Sequence, residues 1–357
     1  MTAWRLLDTG LRPAAQNIAL NRALLEARQE NDGPSTLRFL RFEPCALLGY
    51  HQSAEQELNL DYCSQHGIAI QRRITGGGAL YFDSTQIGWE LYLHKRELGT
   101  ADMATVAHRI CVAAARGIST LGVDAQFRPR NDIEVDGRKI SGTGGAFDGD
   151  ALMYQGTLLI EFDVEKMLRV LKIPAEKLSD KAIASARERV ANLADLLGQV
   201  PSMVQVQSAL ARAFAEEFDV EFIPALLTAR EEDLYKDALA EIDHVDWVNL
   251  LARPASDRPT LNAVRKFPGG LLRASVAYDR DQARIKQVWF SGDVFISPRR
   301  TLVDLEALLR DTLAENMALN VGRFFAGRTV DMLTLTADDF VSVLQEALAQ
   351  VASETSA

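Results

Sequence analysis

Apolar positions change period several times along the chain, and each change marks an element. Pro13 suits the first turn of a helix, where its missing N–H is no loss. Behind it Ala14, Ile18 and Leu25 share one stripe, and Leu20, Leu24 and Ala27 share another. A helix apolar on two sides is expected between layers. The breakers Asn31-Asp32-Gly33-Pro34 end it. Leu37–Phe39 and Ala46–Leu48 read as short strands. Ile87, Trp89, Leu91 and Leu93 alternate with Gln86, Gly88, Glu90 and Tyr92, which predicts a strand with one buried face. Met103–Leu121 reads as a helix stopped by Gly122.

In the segment from Asn131 to Gly142, Asp136-Gly137 signals a two-residue hairpin turn. The simplest register pairs Val135 with Arg138, Glu134 with Lys139, and Ile133 with Ile140. Ile133, Val135 and Ile140 then face a core, while Asp132, Glu134, Lys139 and Ser141 face away from it. Gly156–Phe162 is a further strand candidate. Helical patterns follow at Val164–Leu171, Ala182–Leu197 and Met203–Phe218, and Glu231–Pro254 reads as a partly helical connector. Leu271–Tyr278 and Ala283–Phe290 flank a polar turn, and helices follow near Leu302–Asn316 and Ala337–Val351. Strands followed by helices point to a small α+β unit at the C-terminal end.

With 357 residues the chain exceeds the usual range of one core, so two domains are expected. The net charge of −10 argues against a general grip on nucleic acid. Cys45, Cys63 and Cys111 form no CxxC pair, which argues against a disulfide framework and a thiolate zinc site. No signal peptide and no bilayer-spanning run are read, so the expectation is a soluble, cytoplasmic protein with no membrane partner; a monomer is expected as well.

The most unusual window is Arg72-Arg73-Ile74-Thr75-Gly76-Gly77-Gly78-Ala79-Leu80-Tyr81-Phe82-Asp83. Three glycines let a ligand approach peptide N–H groups, and arginines add forked donors for phosphate or carboxylate. It reads equally as an anion site or as a glycine-rich turn with two solvated arginines. It is neither a Walker A loop nor a dinucleotide fingerprint. Lys139 reads as a surface charge or, on its polar hairpin face, as a bridge between a carboxylate and a phosphate oxygen. Asn131 and Asp132 offer oxygens suited to Mg²⁺. Tyr154-Gln155-Gly156-Thr157 opens a strand, with Gly156 permitting close approach to the backbone. The five histidines show no metal-ligand spacing, and no GxSxG elbow is present.

Taken in order, Pro13–Glu26, Leu47–Asp83, Arg130–Gly142 and Tyr154–Met167 resemble the lipoate–protein ligase A family. More broadly they resemble the biotin/lipoate A/B protein ligase superfamily, which includes octanoyltransferases. The stretch Leu178–Leu197 looks like the segment that follows in that family. The resemblance implies an α+β fold: a mixed β-sheet catalytic domain flanked by helices, with a small α+β C-terminal domain. It also implies domains at 1–228 (catalytic), 229–258 (linker) and 259–357 (accessory).

The implied reaction has two steps. ATP and lipoate or octanoate give acyl-AMP, and a carrier-protein lysine then takes the acyl group. The carrier would be a lipoyl domain, a glycine-cleavage carrier or a dedicated lipoate-binding protein. Carried over by position, Arg73 is the nucleotide-contacting arginine, and Gly78, Ala79, Leu80 and Tyr81 lie along the adenylate. Lys139 contacts acyl carbonyl and phosphate, and Asn131 and Asp132 serve nucleotide and Mg²⁺. Thr75, Gly76 and Gly77 line the acyl tunnel and phosphate edge, and Gly142, Gly156 and Thr157 complete the lipoate pocket.

Family members often carry paired histidines where this chain has Tyr154 and Gln155. Octanoyltransferase branches use a cysteine after the motif lysine, and this chain has none beyond Cys111. The segments Phe267–Asp279 and Ile285–Pro298 resemble the accessory domain. The alternatives are an octanoyltransferase or a biotin–protein ligase of the same superfamily, and a non-catalytic module that holds a lipoyl carrier.

Overall fold

The computed structural model describes residues 2–129, 131–172, 180–251, 260–332 and 334–354. The C-terminal end of the expected linker, 252–258, and the first two residues of the Leu178–Leu197 stretch lie outside them. The chain divides into two compact units. One comprises Met1–Leu47, Leu58–Gln71 and Leu80–Trp247; the other comprises Leu48–Glu57, Arg72–Ala79 and Val248–Ala357.

The first unit is built on an eight-stranded mixed sheet. Its strands are β1 (Thr2–Arg12), β2 (Thr36–Phe42), β6 (Gln86–His94), β7 (Ala125–Arg128), β8 (Asp132–Val135), β9 (Arg138–Asp148), β10 (Ala151–Leu159) and β11 (Val220–Pro224), in the order β11-β1-β2-β6-β10-β9-β8-β7. A three-stranded sheet holds β3 (Cys45–Leu48) between β4 (Ala69–Arg72) and β5 (Leu80–Phe82). One sheet face carries Trp89, Leu91, Tyr154, Leu158 and Ile133 into a core closed by α2 (Met103–Ser119) and α6 (Met203–Phe218). There the Trp89 ring lies 5.2 Å from Phe214.

The other face is covered by α1 (Ala14–Gln29), which packs in turn on α7 (Ala229–Ile242). That explains the two apolar stripes of α1. It also corrects the one-faced reading of β6. Glu90 and Tyr92 are buried too, because Asn21 and Arg38 hydrogen-bond the Glu90 carboxylate from α1 and β2. A buried polar group is tolerated when its bonds are met in this way.

Other departures have local causes. The predicted helix Ala182–Leu197 is two, α4 (Asp180–Arg187) and α5 (Leu193–Leu197), after α3 (Val164–Val170). Between them Val190 bridges to Lys139. Strand β10 ends at Leu159 rather than continuing to Phe162.

In the second unit β12 (Thr260–Phe267), β13 (Gly270–Asp279), β14 (Arg284–Gly292) and β15 (Thr312–Leu313) form an antiparallel sheet under α8 (Thr301–Leu309), α9 (Met317–Ala326) and α10 (Ala337–Glu354). Phe290 and Phe340 meet edge to face in its core. The helix predicted to reach Asn316 stops at Leu309, and Asp311 takes a left-handed φ of 59°.

Candidate active site

In the first unit, strand register lays a row of small residues across the sheet face opposite Trp89. Leu40 of β2 pairs with Gly88 of β6, and Gly88 pairs with Thr157 of β10. The Gly142 N–H of β9 reaches the Thr157 hydroxyl at 3.4 Å, and Gly142 pairs with Asp132 of β8. The result is a shallow trough of small side chains, buried at Leu40 and Gly88 and partly open at Thr157 and Gly142. Leu40 closes one end, since a methyl at Gly88 would come within 2.8 Å of Leu40 Cδ2.

Lys139 closes the other end. It sits opposite Glu134 as the hairpin register requires, and its Nζ lies 2.8 Å from where a Gly142 Cβ would be. Its main chain is held on the far side too: Lys139 N–H donates to Arg189 O, and Ala191 N–H to Lys139 O, both at 2.8 Å. Nζ is 2.7 Å from Asp132 Oδ1. Glu134 does not join that pair; it faces Arg128 at 3.2 Å.

The hairpin differs from its predicted register beyond Lys139. Ile133 pairs with Ser141, not Ile140, because a bulge falls between the Ile133 and Glu134 pairs, with Ile140 the extra residue on β9. Ile140 and Ser141 are therefore both buried, and Ser141 does not face outward.

Gly156 belongs to the other sheet face. A Cβ there would lie 2.2 Å from the Trp89 indole, so its bareness serves core packing. Tyr154 points the same way, and its hydroxyl bonds Thr143 at 3.0 Å and the Cys111 thiol at 3.2 Å. Burial raises the titration of both the phenol and the thiol.

Asn131 and Asp132 do not form a cation cage. The Asn131 amide donates to Thr143 O at 3.0 Å. Asp132 Oδ1 faces Lys139 and Oδ2 accepts from Arg128, each at 2.7 Å. Among the described residues no cluster of three His, Cys, Asp or Glu side chains could hold a metal. The side chains present do not fit a protein-held Mg²⁺.

The glycine window is divided between the two units: Arg72–Ala79 falls in the second, and Leu80 and Tyr81 resume the first. Arg73 N–H donates to Leu48 O at 2.8 Å, and Thr75 O accepts from Tyr50 N at 2.9 Å. Arg73 Nη2 turns onto the loop's own carbonyls, Gly76 O at 3.0 Å and Gly78 O at 2.9 Å. Burial lowers its guanidinium to about 10. The bare backbone is tightly packed. A Cβ at Gly49 would strike Gly77 O, and one at Gly76 would strike Val294 O at 2.2 Å. Gly77, at φ 90°, donates to Val294 O at 3.3 Å. Ala79 is half-buried and Leu80 exposed. Tyr81 is buried near Phe162, with its phenol raised by burial and Asp83.

A profile described as the lipoyl protein ligase A/B catalytic domain matches residues 13–215, more than half of the chain. The chain belongs to this family. Lipoate-protein ligase A subunit 1 of Thermoplasma acidophilum is 32% identical over 231 residues, covering 62% of this chain and 86% of that protein. Octanoyltransferase LipM of Kyrpidia tusciae is 29% identical, covering 69% and 98%. A solved lipoate-protein ligase A bound with ATP matches with TM-score 0.61 and 28% identity over 70% of this chain and 98% of that one. The LipL1 structure of P. falciparum, at 18% identity, shares the fold over 96% of this chain and 99% of that one with TM-score 0.73.

The chain is thus a ligase-family enzyme with a fused C-terminal unit. Its named relatives include both lipoate ligases and octanoyltransferases. Leu40, Gly88 and Arg128 join the site only through the register of the strands. Gly88 had a signal, a lone glycine inside an alternating strand, which marks a close approach to backbone. Arg128 stands four residues before Asp132, within reach of a charge pair. No helix among the described residues is long and apolar enough to cross a membrane.

Proposed function

We propose that this chain is an ATP-dependent lipoate–protein ligase. It joins lipoate or octanoate to the AMP moiety of ATP with release of pyrophosphate, then passes the acyl group to a lysine amine of a lipoyl carrier with release of AMP. The observation that carries this reading is the Lys139 ammonium poised over side-chain-free Gly142 at one end of the trough. From β9 to β6, where Leu40 lies over Gly88, the trough crosses two strand spacings, ~10 Å, the length scale of a medium-chain acyl group. With the acyl chain against Thr157 and its tail toward Leu40, its carboxylate would meet Lys139. That charge would stabilise negative charge building on the carboxyl oxygen and the α-phosphate as the mixed anhydride forms. Within the second unit, Arg73 and the N–H groups of Gly76, Gly78 and Ala79 are of a kind suited to an anion such as a phosphate.

A second reading, octanoyl transfer through a cysteine, follows from the octanoyltransferase relatives. This chain offers no cysteine after Lys139, and Cys111 is buried with its thiol raised. That favours the adenylate route.

The test incubates the protein with ATP, Mg²⁺, lipoate or octanoate and candidate carriers, and reads carrier masses. A lipoyl or octanoyl increment that depends on ATP is expected. Lys139→Ala should lower acid-dependent pyrophosphate exchange by about 10²-fold. Near wild-type exchange by that variant overturns the role given to Lys139.

A further inference from the structure

Asp132 of β8 stands between a cation of β7 and a cation of β9. Its carboxylate lies between two cations, with Lys139 on Oδ1 and Arg128 on Oδ2, each at 2.7 Å. Arg128 is placed there by the ladder, since it pairs directly with Asp132 across β7 and β8. Its other nitrogen faces Glu134 at 3.2 Å. Glu134 stands opposite Lys139 in the hairpin and is the rival carboxylate for its ammonium. Arg128 thus draws Glu134 aside and occupies the second oxygen of Asp132. The Lys139 main chain is fixed by Arg189 and Ala191, which leaves only its flexible stem to be aimed.

We propose that Asp132 is a positioning residue that holds the Lys139 ammonium over Gly142, and that Arg128 locks it in that role rather than in a metal shell. The proposal rests on the ligase reading above. Arg128 and Lys139 are 49% and 37% exposed, so their ion pairs add little to folding stability. The effect belongs in the rate, because a small misplacement of a charge-stabilising group costs catalysis more than fold.

The test compares Asp132→Asn, Arg128→Gln and Arg128→Lys in the full chain. It reads lipoate-dependent pyrophosphate exchange, its dependence on Mg²⁺, thermal unfolding, and the acetylation rate of the Lys139 amine by peptide mass spectrometry. Expected are a kcat about tenfold lower in Asp132→Asn and Arg128→Gln, recovery in Arg128→Lys, and unchanged half-saturating Mg²⁺ and melting. Acetylation of Lys139 should quicken several-fold once its carboxylate partner is lost or loosened.

A several-fold rise in half-saturating Mg²⁺ in Asp132→Asn, with kcat restored at high Mg²⁺, would instead make Asp132 a metal ligand and overturn the proposal. So would unchanged kcat and unchanged acetylation. If the wild type shows no exchange with any medium-chain acid, the ligase reading fails. The acetylation rates then decide by themselves whether Asp132 and Arg128 hold Lys139.

Discussion

A methyl group at Gly142 would sit 2.8 Å from Lys139 Nζ and 2.9 Å from Cε, the mobile end of a long side chain. The stem can yield without disturbing the sheet, so the fold tolerates the change and the ammonium does not stay in place. Gly142→Ala should therefore melt within ~2 °C of the wild type yet lose about 10-fold or more in acid-dependent pyrophosphate exchange. A variant that keeps full activity would show that Lys139 need not lie over Gly142. Lys139 was legible in the sequence because a two-residue turn three positions away fixes which face it occupies. Asp136 and Gly137 adopt the positive φ values, 52° and 73°, that such a turn requires. What Lys139 touches was not legible, since Asp132 and Glu134 are equivalent on that face until Arg128 of the neighbouring strand separates them.

At the level of elements, local signals held and long-range ones did not show. Helix α6 spans Met203–Phe218 as its pattern predicts. The hairpin turn is correct, but the bulge that buries Ser141 was invisible. It adjoins the contact of Lys139 with Arg189–Ala191, about fifty residues away in the chain. Strands β1 and β11 carry no clear alternation, because their pattern depends on what covers each face. The sequence shows that Gly156 in the Tyr154–Thr157 window is bare, and register decides what the bareness is for. Trp89 of β6 lies across it, with the indole 2.2 Å from any added Cβ. The ring is fully buried against Phe214 and has nowhere to go. Gly156→Ala should therefore cost about 3 kcal/mol or more in stability, read as a lower urea midpoint. An unchanged midpoint would mean that β10 does not run under Trp89.

Across the whole molecule, the second unit carries a half-buried carboxyl, Glu306, and a buried imidazole, His51, whose titrations oppose each other. Burial pushes the Glu306 carboxyl, which accepts the Phe290 N–H at 2.7 Å, up to about 7 from an ordinary 4.5. Between those values the folded chain holds the extra proton, so this group's contribution to stability falls as pH rises through that window. His51 is shifted the other way, to about 4 from 6.5, chiefly by burial and then by the Arg72 charge. Between 4 and 6.5 the unfolded chain binds the extra proton, so the His51 contribution rises with pH over nearly the same span. The two slopes largely cancel in the wild type, and removing one should expose the other. Glutamine at 306 keeps an acceptor for the Phe290 N–H and carries no charge. Glu306→Gln should melt several degrees above the wild type at pH 8, the gap closing as pH falls toward 4.5. The remaining His51 slope should then make the variant gain stability from pH 4 to 6.5 and level off above it. A gap of equal size at pH 5 and pH 8 would show that the Glu306 carboxyl is not buried in its charged form, and that the underside of α8 is open to water.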